Sequence, residues 1–165
     1  MTTTKTNVET KGNTLIIERV FEAHPSLMFD VWSDCKHLKH WWGPKEWPMD
    51  ECEIDFRVGG TWHFCLRGPN EGDESWGKVI YDEIDKPRKI IYRDYFADSE
   101  GNINEEMPGS RTTLEFIEHN GITKQVSTTE YESPESLRSV LDMGMIDGMN
   151  SSMERLDEYL EELTT

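Results

Sequence analysis

A chain of 165 residues has the usual size of one domain and is long enough to bury a sizeable core. No apolar run approaches the length of a membrane-crossing helix, and residues 1–14 are polar and Thr-rich, without the hydrophobic segment of a secretory signal. Asp and Glu outnumber Lys and Arg by 33 to 17, for a formal net charge of −16. That field repels phosphate backbones and anionic lipid heads, so nucleic acid and membranes are excluded as expected partners. Solubility, or a high-salt habitat, accounts for the acidic balance.

Residues 1–13 read as a flexible leader and residues 14–165 as one domain. Leu15 to Phe21 form a β-rich run that His24-Pro25-Ser26 stops, with Ser26 as a candidate N-cap. Leu27, Met28, Val31 and Trp32 then supply the stripe of a short helix. A second short helix over residues 35–42 ends at Gly43-Pro44. Residues 49–131 read as six successive antiparallel strands, with residues 98–110 as a mobile loop and His119-Asn120-Gly121 as a hairpin turn. Ser133 caps a helix with Pro134 at its first position, and Leu137, Leu141, Met145, Met149, Ser152, Leu156, Leu160 and Leu163 continue one long amphipathic stripe. Gly144 and Gly148 lie beside it, each weakening a helix by about 1 kcal/mol relative to Ala, and mark a bend or a close approach.

Two segments are the most distinctive: Trp41-Trp42-Gly43-Pro44 and Arg57-Val58-Gly59-Gly60-Thr61-Trp62. Adjacent tryptophans before a Gly-Pro turn are too bulky for a solvated loop and must lean on the core or on a cavity mouth. With Arg19-Val20-Phe21, Val31-Trp32 and the stretch 144–163, they occur in an order that resembles the START-like (SRPBCC) superfamily. Within it, the chain is similar to the branch related to the C-terminal domain of the activator of the heat-shock-protein-90 ATPase. The resemblance implies an α+β helix-grip fold: a curved antiparallel sheet wrapped round a long C-terminal helix, with two short helices after the first strand. It also implies a hydrophobic ligand between sheet and helix, since superfamily relatives carry such ligands and some are cyclases or aromatic-ring hydroxylases. The co-chaperone itself has a second domain that binds the chaperone. A chain of this length leaves no room for it, so ATPase activation is not the expected role.

A sheet curled round one helix leaves volume unfilled unless large side chains plug it. The aromatic set Trp32, Trp62, Phe64, Trp76, Tyr92 and Phe96, with Met145 and Met149, is the candidate ligand-binding lining; Met143 and Met153 extend the thioether group. The expected pocket is bounded by Trp62, Phe64, Tyr92, Met145 and Met149, against the alternative that these residues are ordinary core.

Other constellations read as structural. Cys35, His37 and His40 lack a fourth ligand, so they belong to a surface helix rather than a metal site. The three cysteines are odd in number and without CxxC spacing, which fits free thiols in a reducing cytoplasm; a Cys52–Cys65 bridge is conceivable but disfavoured. His24, His63 and His119 are candidate bases and Cys65 a candidate nucleophile, yet no nucleophile elbow, zinc-protease signature or phosphate loop accompanies them. His63 and Cys65 share the strand face opposite Trp62 and Phe64, outside the core. Arg93 and Asp94 read as a salt bridge at the sheet surface, although a charge pointing into the cavity would carry function. Glu154, Asp157, Glu158, Glu161 and Glu162 form the solvated face of the last helix.

The functional expectation is a cytoplasmic protein, not an enzyme, that binds a small hydrophobic or aromatic molecule as monomer or homodimer, with no cofactor, no metal and no catalytic residues. One alternative is a stress-associated protein with a chaperone as partner. The other is an enzyme of the cyclase or hydratase type working in the same cavity.

Overall fold

Period-two burial runs along the strands and sets which side chains face inward. In β2 (Thr14–Phe21), Leu15, Ile17, Arg19 and Phe21 are buried while their neighbours are half-exposed. The computed structural model describes residues 6–164. Its strands are β1 (Asn7–Lys11), β2, β3 (Met49–Ile54), β4 (Thr61–Arg67), β5 (Glu74–Asp85), β6 (Lys89–Ala97), β7 (Ser110–His119) and β8 (Ile122–Tyr131). Its helices are α1 (Pro25–Val31), α2 (Cys35–Trp41), α3 (Pro134–Asp142) and α4 (Met145–Thr164).

The strands form one antiparallel sheet in the order β1-β2-β8-β7-β6-β5-β4-β3. Its inward residues close on α4: Met153, Leu156, Tyr159 and Leu160 join Phe21, Trp62, Phe64, Val79, Tyr92 and Phe116 in one core. Leu137 and Val140 of α3 cover Leu15, Ile17 and Tyr131 in a smaller one. The helix-grip architecture expected from the resemblance is the architecture found.

Several details differ from the sequence reading. Residues 7–11, assigned to the flexible leader, pair with β2 as an edge strand from Asn7↔Glu18 to Lys11↔Thr14. All five are exposed, so the strand is held by backbone pairing and carries no apolar alternation to announce it. Residues 1–5 of that leader lie outside the described residues. Helix α1 starts with Pro25 at its first position and His24 as N-cap, not with Ser26 as cap. Ser133 caps α3 as expected, accepting the Ser136 N–H at 3.0 Å.

The single long C-terminal helix is two helices. Gly144 adopts φ +85°, a left-handed conformation that ends α3 and lets the chain restart as α4 at a new angle. A side chain at Gly144 would meet nothing within 4 Å, so the requirement is conformational, not one of space.

Of residues 98–110, expected as a mobile loop, Ser110 already opens β7 and the rest are tied back onto the sheet. The Asp98 carboxylate accepts the Asn102 N–H at 2.8 Å, Lys78 donates to the Gly101 carbonyl at 2.9 Å, and the Asn104 N–H donates to Phe96 at 2.8 Å.

The free-thiol expectation fails for two of the three cysteines. The start of α2 packs on the edge strand β3, bringing the Cα atoms of Cys35 and Cys52 to 5.9 Å, and the two form a disulfide. Only the buried Cys65 remains free. Spacing along the chain carried no sign of this pair, because it joins a helix to a strand across 17 residues. A loop of this length corresponds to about 3 kcal/mol of stabilisation through the unfolded chain. Reduction is therefore expected to lower the urea midpoint by that equivalent, and alkylation after non-reducing denaturation to label one cysteine, not three.

Candidate functional site

The site is built from the Trp41-Trp42 turn, and α4 holds that turn in place. Ser152 donates to the Trp41 carbonyl at 2.8 Å, and the Lys45 N–H donates to Ser151 at 2.9 Å. The Arg155 guanidinium donates to the carbonyls of Gly43 (2.8 Å), His40 (3.1 Å) and Trp42 (3.3 Å). These are carbonyls at the end of α2 that have no partner within the helix, so a cation supplied from α4 satisfies both their hydrogen bonding and the helix dipole.

Held this way, the Trp42 ring packs edge-on against Trp32 (5.5 Å between centroids), Trp41 (5.5 Å), Trp62 (4.8 Å) and Phe64 (5.8 Å). Beyond this cluster the sheet and α4 enclose a cavity of about 330 Å³ that opens to solvent on one side. Its size falls at the small end of the range for ligand pockets, about 300–1,000 Å³. Gly77 makes room for it. A Cβ there would lie 2.4 Å from the Phe64 ring, which stacks across the glycine from the neighbouring strand.

One wall is aromatic and thioether: Trp32, Trp42, Phe64, Phe96, Met145 and Met149. Much of the remaining lining is polar. The inward face of β8 carries Thr123, Gln125, Ser127, Thr129 and Tyr131, and Ser110 and Thr112 of β7 adjoin it. Some of these groups satisfy one another. Thr112 and Thr129 share a hydrogen bond of 2.9 Å, and Trp32 donates to the Gln125 side-chain carbonyl at 2.9 Å. Ser127 belongs to this polar lining, which the sequence reading did not identify.

Asp94 completes the polar side. It alternates with Tyr92 and Phe96 on β6 and lines the cavity, half-buried, with its open side toward that space. Among the described residues it is the one charged side chain lining the cavity. Arg93, its expected partner, points to the other face and pairs with Asp82 at 3.2 Å. The Asp94 carboxyl accepts the Tyr95 N–H, but burial outweighs that bond and pushes its pKa up to about 7. Burial, and after it the nearness of Asp94, raises the phenols of Tyr92 and Tyr131, the latter to about 12.

Seven of the eight expected lining residues border the cavity: Trp32, Phe64, Trp76, Tyr92, Phe96, Met145 and Met149. Trp76 does so while its indole is engaged elsewhere, stacked on His63 at 4.9 Å and donating to Glu74 at 3.0 Å. Trp62 does not line it. It lies behind Trp42 and Phe64, buried in the core. Met153 joins the lining, whereas Met143 is 56% exposed.

The remaining candidates lie elsewhere. His37 and His40 turn to Tyr159 of α4, the first by a 2.6 Å hydrogen bond and the second by stacking. Cys65, expected outside the core, is wholly buried beside its register partner Trp76, and burial raises its thiol pKa, which disfavours a thiolate nucleophile. His24 and His119 lie away from the cavity, the former 3.6 Å from Glu118. Asp157, expected on the solvated face of α4, pairs instead with the buried Arg19 of β2 at 2.6 Å.

A sheet gripping one helix, with a half-open cavity between them, defines the START-like (SRPBCC) class. A family model described as "Activator of Hsp90 ATPase homolog 1-like protein" matches residues 22–161, and the chain belongs to that family. Among solved structures it is similar to protein Ms6760 from Mycobacterium smegmatis, with 30% identity, a TM-score of 0.86 and coverage of 99% of this chain and 98% of that one. A protein from Arthrobacter aurescens has 28% identity and a TM-score of 0.86, over 94% of this chain and 91% of that one. One from Staphylococcus epidermidis has 29% identity and a TM-score of 0.83, over 96% of each chain. Comparison with curated proteins gave no match. No helix among the described residues is long and apolar enough to cross a membrane.

Two outcomes follow from this geometry. Because the folded-state pKa of Asp94 lies above that of the unfolded chain, ionising it costs stability. The cost is absent below about pH 4 and grows as the pH rises through 7. Asp94→Asn is therefore expected to raise the melting temperature at about pH 8 and leave it unchanged at about pH 4; an equal effect at both values would contradict this account. Arg155→Ala is expected to cost about 2 kcal/mol in urea unfolding and to red-shift tryptophan emission, as the turn carrying Trp42 loses its anchor.

Proposed function

We propose that this protein binds a small, largely aromatic or apolar molecule with one polar end, in the cavity between the sheet and α4. The observation that carries the reading is a cavity whose lining combines aromatic and thioether side chains with polar ones, Asp94 among them. Apolar surface packing on the former releases weakly held water. Hydroxyls and a carboxyl among the latter fix which end of the molecule points where, as ligand pockets generally do with few polar groups. A filled core would have favoured action through the protein surface; the open cavity favours an internal ligand.

Asp94 gives specific support to a second reading, an enzyme of the cyclase or hydratase type. A carboxyl with a pKa of about 7 populates both protonation states near neutrality, as general acid–base work requires. In that case Asp94 moves a proton on the bound molecule while Tyr92 and Tyr131, whose raised pKa values keep them neutral, act as hydrogen-bond donors.

Native mass spectrometry of the freshly purified chain, with a thermal-shift screen of aromatic compounds, tests the binding reading. Hits are expected to raise the melting temperature in proportion to the logarithm of their concentration. Ser127→Leu, which fills the polar part of the lining, is expected to keep the fold and abolish those shifts. Unchanged shifts in that variant would place binding elsewhere. Asp94→Asn then separates the two readings, since an enzyme loses turnover with ligand retained.

A further inference from the structure

We infer that the ligand is a cation: a small arylalkylamine whose protonated nitrogen sits against Asp94 and whose ring lies against Trp32, Trp42 and Phe64. The inference rests on the ligand-binding reading above and specifies its chemistry.

A carboxyl lining an apolar cavity needs either a proton or a counter-ion, because charge stripped of water and left alone is costly. Among the described residues, none that lines the cavity supplies the counter-ion. The cavity lining contains no Lys, Arg or His, and the nearest cation along the strand, Arg93, is turned outward to Asp82 and Tyr95. A ligand ammonium placed there does what no described side chain does.

The groups around Asp94 suit the same charge. Its inward strand neighbours Tyr92 and Phe96 line the cavity with it, and Tyr131 stands close enough for the two to interact electrostatically. Ring faces carry negative quadrupole charge and attract cations. Ser110, directly opposite Asp94 in the β6–β7 register, and Ser127 offer hydroxyl oxygens to the remaining N–H donors. At larger range the net charge of −16 draws cations toward the protein. The same features disfavour a carboxylate ligand, which would face Asp94 with no basic side chain in the lining to hold it.

Three probes of matched shape and different charge test the inference: phenethylamine, phenethyl alcohol and phenylacetate. Each is titrated into the full chain, with binding read from backbone amide shifts of cavity residues. The amine is expected to bind at least about tenfold more tightly than the alcohol, with phenylacetate weakest. In Asp94→Asn the gap between amine and alcohol is expected to close. Ser110→Lys, which sets a built-in cation across the strand from Asp94, is expected to close it as well and serves if the first variant does not give a native spectrum. Equal affinity for amine and alcohol in the wild-type chain, or an amine preference that survives both substitutions, would overturn the cation inference while leaving a ligand cavity. Cavity resonances unmoved by all three probes would overturn the binding reading itself.

Discussion

The position of one ring governs the interior of this protein, and that position is set by polar contacts from another element. Trp42 stands between the tryptophan core and the empty space beyond it. The turn that carries it ends a helix whose last carbonyls are taken up by Arg155 and Ser152 of α4. A helix lying across a sheet has many ways to slide along its axis while keeping its apolar face down. Hydrogen bonds to specific carbonyls of Trp41, Trp42 and Gly43 remove that freedom, and the 2.6 Å pair between Arg19 and Asp157 removes it again further along. Apolar burial brings α4 to the sheet; the polar contacts decide where it stops.

That arrangement explains why a cavity survives. Interiors of proteins pack about as densely as organic crystals, and an unsupported void tends to be filled by whatever can move into it. Here the surrounding groups are tied. Trp32 is bonded to Gln125, Thr112 to Thr129, and Phe64 lies flat across Gly77. The space is therefore a property of the scaffold, kept open by side chains that are already committed to other partners. Its polar residues look inward from strands whose outer faces are also polar, so β8 contributes little apolar burial of its own.

Much of this was legible in the chain. Trp41-Trp42-Gly43-Pro44 announced a ring cluster leaning on something apolar, and alternation along β4 put Trp62 and Phe64 on the inward face. What escaped did so for identifiable reasons. Asp94 shares its inward register with Tyr92 and Phe96, but the adjacent Arg93 offered an ordinary surface ion pair, and only the structure shows that pair to be with Asp82. The lining formed by Gln125, Ser127 and Thr129 has no apolar period, so a pattern search for buried strands passes over it. Trp62 satisfied every criterion for a lining residue and is shielded by Trp42, a matter of depth that periodicity does not encode. The Cys35–Cys52 bridge, the exposed strand β1 and the end of α3 at Gly144 all depend on contacts or torsions between distant or featureless segments.

The polar interior of β8 has a further consequence, for how the strand finds its place between β2 and β7. A strand with one greasy face is aligned by the burial of that face, and a slip of one residue is penalised because the wrong side goes in. β8 has no such face. A one-residue slip would instead turn Lys124 and Glu130, both exposed, toward the interior, where bare charge is far costlier than a hydroxyl. Thr123, bonded to the Ala23 carbonyl at 2.6 Å, and Gln125, bonded to Trp32, then latch the permitted alignment. Its register is enforced by the residues it must keep out: Lys124, paired with Glu18 on the outer face at 3.0 Å, and Glu130 hold in place a set of inward contacts that they do not make.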